Sequence, residues 1–314
     1  MTTIKEALVE GASKLGDRDP KNNRRAARVL LAHTLSATQE YVLSRADETI
    51  PEDQYAAFLD LISRRALGEP LQHITGHQEF YGLDFIVSAD VLIPRPETEF
   101  LVEQVVKLGT LPGPWSQEQA RFLLERDPDR QPLNNQVHQP SPLIVDVGTG
   151  SGCIAIALAV SLPSAAIIAI DISSTALDVA RQNAERHGVA DRIQFLPGDL
   201  MGPLQQGSFE GRVDIIASNP PYVSTSRPDL VEKDVRDFEP AIALYGGPDG
   251  LSFYKRLLAD APRYLKSDGY LVCEIGYGQL DDVRSIADAT GWDFANLVED
   301  LQGIPRTLTM RRKP

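Results

Sequence analysis

The sequence lacks several features that would assign it to a special class of protein. None of the apolar runs among its 314 residues approaches the roughly 18–20 residues of a membrane-spanning helix. The first residues contain no apolar core of a signal peptide. Only two cysteines are present, and both Cys153 and Cys273 lie in apolar patterns typical of buried thiols rather than of a disulfide. We therefore expect a cytoplasmic protein that does not associate with membranes.

Basic residues are outnumbered by acidic ones. The chain has 31 Lys and Arg residues against 44 Asp and Glu residues, which gives a formal net charge of −13. An acidic surface repels the phosphate backbone, whose neutralisation dominates the affinity of proteins for nucleic acids. We therefore expect no direct nucleic-acid binding, although this charge balance does not exclude a local basic patch.

Metal-binding signals are weak too. His73 and His77 have the i, i+4 spacing of two ligands on a helix, but Gly76 and the β-like pattern around it argue against a helix there. No Glu or Cys completes a site near them. The sequence therefore predicts no metal.

The pattern of apolar residues divides the chain into three parts. Residues 1–72 show helical spacing and predict a small helical domain. Residues 73–95 change to a β pattern and predict a hairpin linker with its turn near Gly82-Leu83-Asp84. Within residues 96–314, strands and helices alternate from residue 143 onward, which predicts a doubly wound α/β layer. Residues 109–142 are rich in Pro, Gln and Asn and predict a loop insertion.

A glycine-rich segment joins the first strand of that layer to its first helix. Its glycines allow the backbone to turn sharply and to approach a ligand closely. The second strand ends at Asp171, whose carboxylate could accept both hydroxyls of a ribose or could simply cap the next helix. The order of these elements predicts a nucleoside-type cofactor: a strand, a glycine loop, a helix, a second strand and an acid. The segment reads Asp146-Val147-Gly148-Thr149-Gly150-Ser151-Gly152.

The glycine spacing excludes two common nucleotide sites. There is no Gly-Lys-Ser/Thr of a P-loop, and the pattern is G-x-G-x-G rather than G-x-G-x-x-G. Asp146 would sit poorly beside a pyrophosphate but suits a cationic ligand, such as the amino and sulfonium groups of S-adenosylmethionine. After a third strand, Asp199 could accept from the adenine amino group and Leu200 could pack on the ring, although a surface turn is the alternative. The predicted cofactor-binding residues are Asp146, Gly148, Thr149, Gly150, Ser151, Gly152, Asp171, Asp199, Leu200 and Asn219.

A second motif, Asn219-Pro220-Pro221-Tyr222, follows an apolar strand over residues 213–218. Each proline favours extended geometry in the residue before it, and neither proline has an N–H group. The loop therefore presents mainly acceptors, namely the Asn219 side-chain oxygen and nearby carbonyls. Such a loop suits a planar NH₂ group, which brings two donors and a flat face for Tyr222. The alternative is an ordinary proline turn followed by a core tyrosine.

Together these motifs resemble the class I S-adenosylmethionine-dependent methyltransferases, and the Asn-Pro-Pro-Tyr loop resembles the branch that methylates planar nitrogens. The stretch Leu92–Glu99, which reads LIPRPETE, is similar to the signature of HemK-type release-factor glutamine methyltransferases. The segments Pro70–Gly76 and Phe238-Glu239-Pro240, together with Phe80, also match that family. Two departures are the long 109–142 segment and Leu200, where some members carry an aromatic residue.

The resemblance implies a Rossmann-like, mostly parallel sheet with a C-terminal antiparallel strand, preceded by a β-hairpin and by a helical domain, residues 1–72, that serves substrate recognition. It implies S-adenosylmethionine as cofactor and, as partner and substrate, the Gly-Gly-Gln glutamine of peptide chain release factors. The product would be N5-methylglutamine, and we expect a monomer. The catalytic and substrate-binding residues implied are Asn219, Pro220, Pro221 and Tyr222, and for substrate binding also Arg95 and Glu97.

Several roles stay open from the sequence. Arg95 could pair with Glu97 or Glu99 rather than contact substrate, and Glu239 could brace the Asn-Pro-Pro-Tyr loop. Asn219→Asp keeps an acceptor oxygen, so we expect it to be milder than Asn219→Ala. Rival functions are methylation of a base amino group in RNA or DNA, methylation of a ribosomal-protein glutamine, and cofactor binding without turnover.

Overall fold

The computed structural model describes residues 2–16, 20–110 and 141–313. The predicted insertion at 109–142 lies almost entirely outside these residues. The chain forms two compact units, Met1–His77 with Glu232–Phe238, and Gln78–Val231 with Glu239–Pro314. Among the helices in the described ranges, none has the length and apolar character needed to span a bilayer.

The first unit is a helical bundle. Thr3 begins its first helix with a capping box, in which Thr3 and Glu6 satisfy each other's backbone N–H groups. Its core is formed by apolar side chains such as Leu30 and Phe58, which are fully buried. Its elements are β1 (Thr2–Thr3), α1 (Ile4–Lys14), α2 (Pro20–Thr34), α3 (Gln39–Ser44), β2 (Thr49–Ile50), α4 (Glu52–Ala66) and α5 (Leu71–Thr75).

Short helix α5 ends where the sequence contains Gly76. Gly76 has φ 78°, and this left-handed conformation terminates the helix after Thr75. His73 therefore lies in α5, while His77 begins the next strand. The two histidines do not share a helix face.

A hairpin of β3 (His77–Phe80) and β4 (Leu83–Ile86) follows. Its turn is formed by Tyr81 and Gly82, with φ values of 54° and 73°. The turn thus lies earlier than predicted, because Leu83 already belongs to β4. Carboxylates hold the tight turn: the Tyr81 N–H donates to Glu99 at 2.9 Å and the Gly82 N–H donates to Glu79 at 2.7 Å.

Seven strands of the described residues form one sheet in the second unit, in the order β10-β11-β9-β8-β5-β6-β7. Strand β11 is antiparallel to both of its neighbours, whereas the pairs from β9 to β7 are parallel. The predicted fold class is confirmed. The strands are β5 (Leu143–Val147), β6 (Ala166–Asp171), β7 (Ile193–Pro197), β8 (Val213–Ser218), β9 (Leu265–Glu274), β10 (Trp292–Glu299) and β11 (Pro305–Arg312).

Helices cover both faces of this sheet, and a separate apolar cluster fills each face. Alternate residues of the central strand point into the two clusters: Val145 lies in one and Ile144 in the other. The remaining helices are α6 (Glu99–Gly109), α7 (Cys153–Ser161), α8 (Ser174–Arg186), α9 (Lys233–Phe238, in the first unit), α10 (Ala241–Leu244), α11 (Ser252–Tyr264) and α12 (Leu280–Ala289).

Candidate active site

A cavity lies at the carboxyl ends of the parallel strands in the second unit. The chain runs from β5 outward to β6 and β7, then returns to place β8 on the other side of β5. Ligands of open α/β sheets bind in the crevice at such a reversal. The residues that line the cavity are Asp90, Val91, Leu92, Val147, Gly148, Gly150, Asp171, Ile172, Ser173, Ala176, Gly198, Asp199, Leu200, Ser218, Asn219, Pro220, Pro221, Pro240, Ile242, Ala243, Phe253 and Arg256.

The glycine loop after β5 forms one wall. Gly148, Gly150 and Gly152 have φ values of 77°, 54° and 82°, a region that favours glycine. Gly148 and Gly150 expose their backbone to the cavity. A Cβ on Gly152 would come within 2.9 Å of Ile156, so this third glycine serves the packing of α7. The loop therefore brings main chain, rather than side chains, to a ligand.

Asp171 connects this loop to the next helix. Its Oδ2 accepts from the Gly150 N–H at 2.8 Å, and its Oδ1 accepts from the Ser173 N–H at 2.9 Å. The side chain also lines the cavity, and burial raises the pKa of its carboxyl. The helix that follows is capped by Ser173, whose hydroxyl accepts from the Ala176 N–H, and not by Asp171. The Asp171 carboxylate instead fixes the loop and faces the space where a ribose is expected.

Asp146 lies beneath the loop and does not line the cavity. It is fully buried, and its Oδ2 accepts from the Thr149 hydroxyl at 2.6 Å and from the Ala155 N–H at 3.2 Å. Its Oδ1 has no hydrogen-bond partner among the described residues. Burial raises the pKa of Asp146 to about 7. Thr149 and Ser151 are buried as well, so these predicted cofactor residues support the loop from below.

The opposite wall combines Asp199 and Leu200 with two residues that sequence reasoning missed. Asp199 accepts from the Arg256 guanidinium at 2.5 Å, and Phe253 lines the cavity from the same helix, α11. Leu200 is 8% exposed and lines the cavity. The helical pattern of residues 252–264 contains no signal that would single out Phe253 or Arg256, because their role depends on where α11 packs.

The Asn-Pro-Pro-Tyr loop follows β8. Asn219, Pro220 and Pro221 line the cavity, whereas Tyr222 lies behind them. The Tyr222 hydroxyl donates to Glu274 at 3.3 Å, and its ring borders Gly276, where an added Cβ would come within 2.9 Å. Burial raises the pKa of the tyrosine. Three of the four motif residues therefore reach the cavity directly.

The Asn219 side chain is anchored from one side. Its Nδ2 donates to the Thr98 hydroxyl oxygen at 3.0 Å. The Thr98 hydroxyl in turn donates to Glu274 Oε2 at 2.6 Å. Thr98 and Glu274 are 2% and 1% exposed, so these bonds are shielded from water. Sequence reasoning did not identify Thr98 or Glu274 as functional.

The LIPRPETE segment is anchored by Glu239. This carboxylate accepts from the Arg95 guanidinium at 2.6 Å and from the Ile93 N–H at 3.0 Å. Arg95 therefore pairs with Glu239 and not with a glutamate of its own segment. Glu239 holds this segment rather than the Asn-Pro-Pro-Tyr loop. Glu97 is half-buried, and its negative charge acts on Glu274 and on Arg306.

These residues fit a nucleoside-type cofactor. The cavity combines open glycine main chain, one carboxylate at the end of β6, and apolar surface from Leu200 and Phe253. Such a mixture of apolar surface and a few polar groups is typical of small-molecule sites. In the part of the chain that is described, no group of three or more His, Cys, Asp or Glu residues is arranged to hold a metal ion.

Comparison with known proteins agrees with this geometry. Residues 6–76 match the PrmC N-terminal domain, and residues 141–296 match a methyltransferase domain. The chain is 37% identical over 310 residues to a release factor glutamine methyltransferase of Koribacter versatilis, covering 99% of both chains. It is 36% identical to a protein of the same name from Geobacter sulfurreducens, covering 98% of this chain and 95% of that protein.

Among solved structures, the delta-N METTL16 MTase domain matches with a TM-score of 0.50 at 20% identity, covering 81% of this chain and 96% of that chain. That likeness concerns the fold alone. The fold and the cavity define an enzyme of the class I S-adenosylmethionine-dependent methyltransferases. The near full-length identities then show that the chain belongs to the family of release factor glutamine methyltransferases. The resemblance and the cofactor predicted from the sequence are thereby confirmed.

Proposed function

We propose that this protein transfers the methyl group of S-adenosylmethionine to the side-chain amide nitrogen, N5, of the glutamine in the Gly-Gly-Gln motif of peptide chain release factors. The names of its relatives support release factors as the substrate. The observation that carries the proposal is the placement of Asn219 and Pro220 at the cavity wall. With its Nδ2 bonded to Thr98, the Asn219 amide has its oxygen available for a donor on the substrate.

The chemistry explains why acceptors are needed there. An amide nitrogen is a poor nucleophile because its lone pair is delocalised into the carbonyl group. S-adenosylmethionine supplies an electrophilic methyl group on a sulfonium sulfur. The protein therefore acts mainly by placement, and alignment of reacting groups can lower a barrier by about 7–11 kcal/mol at best.

Each residue of the loop has a role in that placement. Asn219 Oδ1 and the Pro220 carbonyl each accept one N–H of the substrate amide, which fixes the face of the nitrogen. Pro221 stiffens the loop. Tyr222, which was expected to pack on the flat face of the amide, lies behind the cavity wall, and we assign it to supporting the loop through its bond to Glu274. No strong base is required, because the proton can leave after methylation as the amide resonance is restored.

The other site residues are assigned by whether they line the cavity or support its walls. We assign cofactor binding to Gly148, Gly150, Asp171, Asp199 and Leu200, which line the cavity. In a second group, buried side chains and the third glycine support the loop from behind: Asp146, Thr149, Ser151 and Gly152. In a third group, residues of the LIPRPETE segment shape the substrate side: Arg95 and Glu97.

The test is direct methylation. The protein is incubated with labelled S-adenosylmethionine and a purified release factor, and the methyl group is mapped by peptide mass spectrometry. We expect label on the Gly-Gly-Gln glutamine, and none on a factor with alanine in its place. Label that appears instead on a ribosomal protein or on RNA, offered in parallel, would contradict the proposal.

A further inference from the structure

Three polar side chains from distant parts of the chain form a buried series behind the cavity wall. Asn219 follows β8, Thr98 precedes α6, and Glu274 ends β9. Asn219 Nδ2 lies 3.0 Å from Thr98 Oγ1, which lies 2.6 Å from Glu274 Oε2. Both Thr98 and Glu274 are almost completely buried, so water does not compete for these bonds.

The donor and acceptor roles in this series are fixed when Glu274 is ionised. An ionised carboxylate can only accept hydrogen bonds, so the single hydroxyl proton of Thr98 is donated to Glu274. The Thr98 oxygen then accepts, and a carboxamide meets an acceptor with its NH₂ group. The Asn219 oxygen is thereby directed to the other side of its amide.

We propose that Thr98 and Glu274 are positioning residues that hold the Asn219 amide in the one orientation able to accept from a substrate NH₂ group. The inference rests on the proposed function, because the hydrogen bond that Asn219 Oδ1 accepts is donated by the NH₂ group of the substrate amide. With the amide reversed, Asn219 would direct its own NH₂ group at the substrate NH₂ group, and neither could accept. The second oxygen of Glu274 accepts from Tyr222 at 3.3 Å, so the carboxylate links two residues of the same loop.

The protonation state of Glu274 should control this arrangement. Burial raises its pKa to about 7, and the negative charge of Glu97 adds to that rise, whereas Arg306 opposes it. A protonated Glu274 can donate to the Thr98 oxygen. The Thr98 hydroxyl proton can then be donated to Asn219, so the orientation of the Asn219 amide is no longer fixed. The titratable and charged groups that face Glu274 are Glu97, Cys153, Tyr222, Tyr254, Cys273 and Arg306.

The first experiment removes the central hydroxyl. Thr98→Val has a similar shape but cannot bond Asn219 or Glu274, so we expect kcat for release-factor methylation to fall about 5- to 150-fold. Affinity for S-adenosylmethionine, measured by calorimetry, should stay near the wild-type value and also reports that the variant is folded. Thr98→Ser restores the hydroxyl and should recover most of the lost kcat. The matched control is Thr290→Val, which removes a hydroxyl bond to Ile286 in α12.

The second experiment reverses the donor and acceptor roles of the hydrogen bonds that join residues 219, 98 and 274. Asn219→Asp loses the donor to Thr98 and leaves two carboxylates facing one hydroxyl, so we expect a severe loss of kcat. This replaces the milder effect expected from the sequence, which considered only the retained acceptor oxygen. In Asn219→Asp with Glu274→Gln, the new amide can donate to Thr98, and Thr98 can then donate to residue 219. We expect the double variant to exceed Asn219→Asp in kcat by about 5-fold or more. Glu274→Gln alone should abolish the rise of kcat with pH near Glu274's pKa.

The outcomes separate this inference from the proposed function. Equal kcat for Thr98→Val and Thr98→Ser, or a double variant no faster than Asn219→Asp, would overturn the positioning role while release-factor labelling by wild type persists. Absence of that labelling would overturn the proposed function instead. The series is then judged by a neutron structure of the wild-type protein at a pH above the pKa of Glu274, where this carboxyl is ionised: nitrogen of the Asn219 amide toward Thr98 supports it, and oxygen toward Thr98 overturns it.

Discussion

Two loops meet at the cavity, and they are held in place by different means. The glycine loop after β5 is fixed by nearby main chain and by one acid: Ile170 accepts from the N–H groups of Gly148 and Thr149, and Asp171 accepts from Gly150. The Asn-Pro-Pro-Tyr loop after β8 is fixed by side chains that are distant in sequence, 121 residues from Asn219 to Thr98. One loop presents main chain to the cavity, and the other presents the Asn219 side chain to it.

Each loop also rests on a fully buried carboxyl group. Burial raises the pKa of Asp146, under the glycine loop, and of Glu274, under the proline loop, to about 7. Both oxygens of Glu274 have partners, whereas one oxygen of Asp146 has none among the described residues. Because the glycine loop is assigned to the cofactor and the Asn-Pro-Pro-Tyr loop to the substrate amide, changes at the first loop should act on cofactor affinity, and changes at the second on the rate of transfer.

The largest effect is expected at the acid of the first loop. Asp171→Ala removes the acceptor of the Gly150 and Ser173 N–H groups and the expected ribose contact. Because a hydrogen bond to a charged group contributes about 1.5–3 kcal/mol, the dissociation constant of S-adenosylmethionine should rise about 10- to 150-fold. Calorimetry measures it, with exposed Asp178→Ala in α8 as the control. Unchanged affinity would remove Asp171 from the cofactor site.

A comparable effect on rate is expected at the second loop. Asn219→Ala leaves a substrate N–H without its acceptor, so kcat should fall about 5- to 150-fold. Affinity for the cofactor should change little, which is the reverse of the pattern for Asp171→Ala. Asn296→Ala, at an exposed strand position, is the control. If Asn219→Ala turned over normally, the placement mechanism would be wrong.

A smaller effect concerns stability and pH at Glu274. Its folded-state pKa of about 7 exceeds its ordinary value of 4.5, so the folded protein binds this proton more tightly than the unfolded chain. The stability that the group contributes is complete below the ordinary value and is lost as pH rises through about 7. The free energy of unfolding of Glu274→Gln minus that of wild type should therefore grow with pH.

Denaturant unfolding at about pH 5 and about pH 8 measures that difference, since the titration of Asp146 is common to both proteins and cancels. Glu299→Gln, at an exposed position on strand β10, is the control. A constant difference for Glu274→Gln would show that Glu274 titrates normally in the folded protein.

The smallest effect is expected at the cavity rim. The side chains of Arg256 and Asp199 are 50% and 46% exposed, and exposed ion pairs contribute about 0–1 kcal/mol. Arg256→Ala should therefore raise the cofactor dissociation constant at most about 5-fold. The matched control is Arg263→Ala, because Arg263 lies on the same helix as Arg256 and forms an equally exposed pair with Glu210. A loss as large as that of Asp171→Ala would make Arg256 a principal cofactor contact.

The contrast between the loops also explains what the sequence could predict. The strand ends, the glycine loop and the proline motif depend on neighbouring residues, so their positions were predictable. Asp171 was identified because an acid after the second strand reaches the same edge of the sheet. The doubly wound α/β layer followed from the alternation of helices and strands, whereas the antiparallel C-terminal strand followed from the family resemblance.

What could not be predicted depends on contacts between remote segments. Nothing near Thr98 or Glu274 in the sequence indicates that they meet Asn219. The partner of Arg95 lies 144 residues away, so pairing within the LIPRPETE segment was the natural but incorrect alternative. Asp146 was predicted to lie beside the cationic part of the cofactor, because the sequence cannot show that its side chain turns under the loop.

The most direct test of the account is a crystal structure of the protein with S-adenosylhomocysteine and a peptide that contains the Gly-Gly-Gln motif. We predict the thioether sulfur beside the glycine loop and the glutamine amide nitrogen within hydrogen-bond distance of Asn219 Oδ1 and the Pro220 carbonyl. A complex in which the cofactor product lies elsewhere, or in which the Asn219 oxygen turns away from the peptide, would contradict it.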